Sequence, residues 1–67
     1  MNELDLHNVR HPDVDRIVEN YVLMNATPFN IITGRSEKMI ELATDVLKKY
    51  RFQYYMRCHN AGMITVI

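Results

Sequence analysis

Sixty-seven residues limit the chain to one domain, because a polypeptide of this length buries only roughly 60% of the surface that its unfolded form exposes. Hydrophobic residues make up 48% and charged residues 24% of it, a globular balance that argues against disorder, and no apolar run approaches the roughly 18 residues of a membrane span. Eight Lys+Arg against eight Asp+Glu leave no bulk positive field, so any nucleic-acid binding has to come from a local patch.

Ordering such a chain costs on the order of 100 kcal/mol at about 1.5 kcal/mol per residue, so nearly every apolar side chain is needed in a single core. An enclosed substrate cavity is therefore not expected. The start, Met1-Asn2-Glu3-Leu4-Asp5, is acidic and has no apolar stretch of the signal-peptide kind, which predicts a cytoplasmic location. The single cysteine, Cys58, forbids an internal disulfide and suits a reducing compartment. Its neighbour His59 would point to the opposite face of a strand, a poor start for a zinc site.

Residues Glu3 to His7 alternate, with Leu4 and Leu6 on one side and Glu3, Asp5 and His7 on the other, the period of a half-buried strand ending at Asn8. His11-Pro12-Asp13 then reads as a helix start, with proline pre-set for the first turn and Asp13 and Asp15 near the positive end of the dipole. Val14, Ile17, Val18, Tyr21 and Val22 form one apolar stripe. Asn25-Ala26-Thr27-Pro28 breaks the helix. A second strand runs from Phe29 to Thr33.

Thr33-Gly34-Arg35-Ser36 is a glycine-bearing turn, and Ser36 is a suitable N-cap for the second helix. Met39, Leu42, Ala43, Val46, Leu47 and Tyr50 make that helix's apolar stripe, and Lys48 and Lys49 sit at its C-terminus, where the dipole favours cations. Phe52 to Cys58 reads as a third strand, with Phe52 and Tyr54 in the core and Tyr55 and Arg57 on the other face. His59-Asn60-Ala61-Gly62 is a turn before the apolar strand Met63 to Ile67.

The order β-α-β-α-β-β predicts an α/β fold of two layers, an α+β sandwich. Right-handed crossovers make the first three strands parallel and place both helices on one face, and the short last turn makes the final strand antiparallel. The apolar final strand suits a central position, and the opposite face of the sheet stays open. The ends of the first two strands then meet at one rim, so His7 and Thr33-Gly34-Arg35 come together, and ligands of open α/β sheets bind there. The second helix starts at the same rim and offers free N–H groups to an anion, with Gly34 allowing close approach and Arg35 and Lys38 adding charge. Asp5 and His7, about 6.6 Å apart along a strand, make an acid/base pair beside that phosphate cradle. Tyr55 and Arg57 would extend a nucleic-acid track by stacking and charge.

Taken one at a time, these features also fit a plain structural role. Polar residues belong on an exposed strand face, and glycine serves tight turns. His11 reads as a helix-start residue, His59 as a turn residue, and the five methionines as packing.

Taken in order, Leu4-Asp5-Leu6-His7-Asn8, Ile31-Ile32-Thr33-Gly34-Arg35-Ser36 and Asn60-Ala61-Gly62-Met63-Ile64-Thr65-Val66-Ile67 closely resemble the small MutS-related (Smr) domain family across the whole chain. The resemblance implies a four-stranded mixed sheet of order 1-2-4-3, nucleic-acid binding, and endonuclease activity on DNA or RNA. It assigns Asp5 and His7 as the functional pair, with Asp5 a general base or ligand of a divalent metal such as magnesium. The family's second motif falls on Thr33, Gly34, Arg35 and Ser36, and its C-terminal glycine on Gly62. Two positions depart from the family's pattern, Asn8 and Ser36 standing where it has glycine. A left-handed turn survives asparagine, whereas Ser36 competes for the same N–H groups as a phosphate.

The departures and the zero net charge leave a second reading open. In it the chain is a non-catalytic adaptor that binds protein or nucleic acid through the open sheet face or the unpaired edge of its first strand. A small homodimer through the open face or edge is a third possibility, a larger protein partner is one source of the missing positive charge, and no membrane partner is expected.

Overall fold

A computed structural model of the chain describes residues 2–56 and 62–67. The elements are β1 (Asn2–Asp5), α1 (His11–Met24), β2 (Phe29–Ile32), α2 (Glu37–Lys49), β3 (Tyr54–Met56) and β4 (Met63–Val66). The sheet runs β1-β2-β4-β3, with β1 parallel to β2 and β4 antiparallel to both β2 and β3. This is the expected topology, with the most apolar strand in the interior of the sheet and both helices on one face. No helix among the described residues is long and apolar enough to cross a membrane.

The alternation of each strand sorts its side chains cleanly. Phe29 and Ile31 of β2 and Ile64 and Val66 of β4 are fully buried beneath Val14, Val18 and Val22 of α1 and Met39, Ala43, Val46 and Leu47 of α2. Phe29 anchors this core, with Tyr21 edge-on at 5.1 Å and Phe52 at 6.4 Å between ring centroids, both in the favourable tilted arrangement. On the opposite face the register aligns Glu3, Asn30, Thr65 and Tyr55 in one row and Asp5, Ile32 and Met63 in the next. Thr65 donates its hydroxyl to Asn30 Oδ1 at 2.9 Å, which satisfies the most enclosed polar group of that face.

The strands are shorter than their sequence patterns. The first ends at Asp5 rather than His7, because the Asp5 carboxylate accepts the His7 N–H at 2.9 Å and turns the chain out of the ladder. The second is bounded at Ile32 rather than Thr33, although the Thr33 N–H continues the β2–β4 register to the Gly62 carbonyl at 2.7 Å, and the chain turns at Gly34, whose φ is +69°. The third begins at Tyr54 rather than Phe52, because Phe52 donates its N–H back to Leu47 and completes the end of α2. The fourth ends at Val66, one residue before Ile67. Arg57 and Cys58 of the expected third strand, and His59 to Ala61 of the expected turn, lie outside the described residues.

Candidate active site

Because β1 and β2 are parallel, the helices that follow them begin at the same rim of the sheet. Between the two helix starts lies a cleft of ≈ 360 Å³. Leu6, His7, Val9 and His11 line it from the β1–α1 connection, and Thr33, Gly34, Arg35, Ser36 and Met39 from the β2–α2 connection. Two helix N-termini, the Arg35 guanidinium and two imidazoles therefore face one space, an arrangement that favours an anion.

His7 stands in a turn beyond the strand, so strand spacing does not govern its distance from Asp5. Asp5 Oδ1 accepts the His7 backbone N–H and lies 4.0 Å from His7 Nδ1. The tips of the two side chains thus stand within 4.0 Å of one another, and both are exposed. Asp5 points to the open face and does not line the cleft, whereas His7 does. Across the cleft, a Cβ at Gly34 would lie 4.0 Å from His7 Cε1. Imidazole and glycine turn face one another directly.

The glycine turn is held from beneath by Gly62, at the entry to β4. The Gly62 carbonyl accepts the N–H groups of both Thr33 and Gly34, at 2.7 and 3.1 Å. The Thr33 hydroxyl, buried, donates to the carbonyls of Gly34 and Gly62. Ser36 Oγ caps α2 by accepting the Met39 N–H at 3.2 Å. Of the amides from Thr33 to Met39, those of Thr33, Gly34 and Met39 are therefore committed within the protein. In the first turn of α2 the N–H groups of Glu37 and Lys38 precede the first intrahelical bond, from Ile40 to Ser36, and are the ones left for an anion.

Five of the residues singled out from sequence, His7, Thr33, Gly34, Arg35 and Ser36, line this one cleft. Lys38 is exposed on the first turn of α2 beside it. Tyr55 is 42% exposed on the open face of β3, at the far edge of the sheet from β1. Arg57 lies outside the described residues. One lining residue was missed: His11, read as a helix-start residue only, faces the cleft. The same parallel pairing that brought α2 to this rim brings α1 there too, so the signal was present in the topology.

Among the described residues no three His, Cys, Asp or Glu side chains gather as a metal-binding group. Asp5 offers one carboxylate, and one of its oxygens already serves the His7 amide. Magnesium sites commonly take one or two carboxylates and complete the shell with water and substrate phosphate. Here, among the described residues, Asp5 is the ligand of that kind beside the cleft. Tyr50, at the end of α2 and away from the rim, has its ionisation held above the usual phenol value by hydrogen bonding to Glu19, by burial and by the Glu19 charge.

No family model, no curated protein and no solved structure matches the chain.

Proposed function

We propose that the cleft binds a phosphate of a nucleic-acid backbone and that the chain is a nucleic-acid-binding domain of the Smr kind, with endonuclease activity carried by Asp5 and His7. The observation that carries this reading is the meeting of the Asp5–His7 pair with the Gly34 turn at one rim, His7 Cε1 standing 4.0 Å from the glycine's missing Cβ. A phosphate at the first turn of α2 would accept from the Glu37 and Lys38 amides and pair with Arg35 and Lys38. Asp5, close to His7 Nδ1, would orient the ring and leave Nε2 to exchange a proton at the scissile phosphodiester. Tyr55 and Arg57 would extend the contact across the open face. A divalent ion enters this reading as one carried in by the substrate phosphates, with Asp5 as its protein ligand.

A nicking assay on supercoiled plasmid and on structured RNA, with and without magnesium, tests it. Cleavage by the wild-type chain that disappears in both Asp5→Ala and His7→Ala supports the assignment. Equal activity in all three preparations identifies a contaminant and ends the catalytic claim.

A second reading, an adaptor that binds without cutting, has its own support. Ser36 and Gly62 consume three of the turn's amides, and the net charge is zero. Saturable binding of the same nucleic acids with no cleavage under either metal condition favours it.

A further inference from the structure

We propose that the outer edge of β1 and the adjoining flank of α1 form a docking site for an extended peptide of alternating apolar and basic residues, added to the sheet as a fifth strand. Among the described residues β1 is the terminal strand and pairs on one side only. Leu6 sends its N–H inward to Ile32, and backbone direction alternates along a strand. The N–H and C=O groups of Glu3 and Asp5 therefore face outward, where an added strand would meet them.

The side chains around that edge specify the occupant. On the helix side, a groove of ≈ 410 Å³ is lined by Leu4, Ile17, Asn20, Tyr21, Met24 and Asn25, none of them charged. It runs along the flank of α1 turned away from α2. On a helical wheel Ile17, Tyr21 and Met24 lie opposite Asp15 and Glu19, which face α2 beside Asp45 and Lys49. Met24 is 83% exposed, an apolar surface with no partner within the described residues. On the open side, the two side chains that would flank an added strand are Glu3 and Asp5, both exposed and both acidic. A strand laid against β1 would thus place one set of alternate side chains in an apolar groove and the other beside two carboxylates. Apolar residues alternating with Lys or Arg satisfy both faces, and main-chain bonds to the edge supply the rest of the affinity.

The same charges argue against a second copy of the chain as occupant. A two-fold antiparallel pairing of two β1 edges, with both copies' helices on one side, sets Glu3 or Asp5 opposite Glu3 or Asp5 in the registers of longest overlap. Like charges directly opposed are destabilising.

The experiment measures binding of fluorescein-labelled acetyl-Lys-Val-Lys-Val-Lys-Val-amide to the intact chain by polarisation. Met24→Asp and Glu3→Lys are each expected to weaken binding by roughly five- to tenfold, from lost groove contact and reversed cross-strand pairing. Leu23→Asp alters a side chain that is 61% exposed but outside the groove, and leaves the affinity unchanged. N-methylation of alternate peptide residues abolishes binding in one phase and spares it in the other, as strand addition requires. A block peptide of the same composition that binds equally well, or equal weakening by Leu23→Asp and Met24→Asp, overturns the proposal. So does sedimentation of the free chain as a dimer that Met24→Asp dissociates, since a second copy would then hold the groove. None of these readouts uses the cleft, so the nucleic-acid reading and the docking site stand or fall separately.

Discussion

Gly62 rests against Gly34 so closely that a Cβ built on it would lie 3.2 Å from Gly34 Cα and 3.3 Å from its carbonyl carbon. Two glycines from distant parts of the chain thus fix the height of the β2–α2 turn, one by its missing side chain and the other by its φ of +69°. The contact explains why the turn sits level with His7.

Alanine at the two positions should act differently. At Gly34 there is room for a methyl group, but left-handed geometry costs an L-residue about 1–2 kcal/mol. Asparagine there should recover part of the loss. At Gly62 the added Cβ meets backbone rather than a mobile side chain, so the turn itself must shift. Urea denaturation reads both costs, and the His7 ring resonances should move for Gly62→Ala. Unchanged resonances would show that Gly62 does not set the cleft.

Phe29 offers a test of the core. Its ring is fully buried between Tyr21 and Phe52. Truncation of such a residue to alanine costs about 3–5 kcal/mol, and a domain of this size rarely has more than that in total. Phe29→Ala should therefore be unfolded by far-UV circular dichroism at 25 °C, whereas Phe29→Leu should fold with a lowered midpoint. A cooperative transition in Phe29→Ala close to that of the wild type would mean that the stability resides elsewhere.

The end of α2 carries strain that a substitution can relieve. Arg51 has φ 61°, Phe52 donates to the Leu47 carbonyl at 2.9 Å and Arg51 to that of Lys48 at 3.1 Å. Those two bonds make a Schellman cap with arginine where glycine is preferred. Arg51→Gly should raise stability by ~0.5–1 kcal/mol, the strain removed less the entropy that glycine adds to the unfolded chain. A lower denaturation midpoint in Arg51→Gly would contradict the cap.

What the sequence made legible follows from periodicity. The apolar stripes of Val14, Val18 and Val22 and of Met39, Ala43, Val46 and Leu47 are the buried helix faces, and the apolar run Met63 to Val66 is an interior strand. Handedness of the crossovers then placed His7 and Gly34 at one rim. Element ends were harder, because side-chain and cap bonds decide them. The Asp5 carboxylate shortened one strand, and the cap through Arg51 and Phe52 shortened another without any glycine to announce it. The same limit hid the state of the cradle. Periodicity marks the helix start and its free amides, whereas only the three-dimensional arrangement shows that Gly62, nearly thirty residues away in sequence, accepts the amides of Thr33 and Gly34 in the turn before it.

Tyr50 gives a pH dependence with a definite sign. Hydrogen bonding to Glu19, burial and the carboxylate's charge all favour the neutral phenol in the folded chain and raise its ionisation above 10.0. The contribution is present below the ordinary phenol value and is lost as the pH rises through the higher folded value. Wild type should therefore lose stability relative to Tyr50→Phe on the alkaline side of pH 10.0, seen as converging urea midpoints. Midpoints that stay parallel through that range would rule out the Glu19 contact.

Ser36 separates the two readings of the cleft. Its hydroxyl holds the Met39 N–H, so Ser36→Ala should cost ~1 kcal/mol of stability and Ser36→Gly only a few tenths. Glycine also frees that amide and opens the approach to the first turn of α2, where the Glu37 and Lys38 amides already await an anion. If the cleft is a nuclease site throttled by its serine, Ser36→Gly should bind phosphate backbones more tightly and cut faster, and the gain should vanish when His7→Ala is added. If the chain is an adaptor, both variants should change stability alone, leaving nucleic-acid affinity and cleavage where they were. The comparison therefore needs four preparations, wild type, Ser36→Ala, Ser36→Gly and Ser36→Gly with His7→Ala, and three measurements, thermal unfolding for the cap and nucleic-acid affinity and cleavage for the cleft. A rise in cutting that survives His7→Ala would belong to neither reading and would remove the imidazole from the reaction.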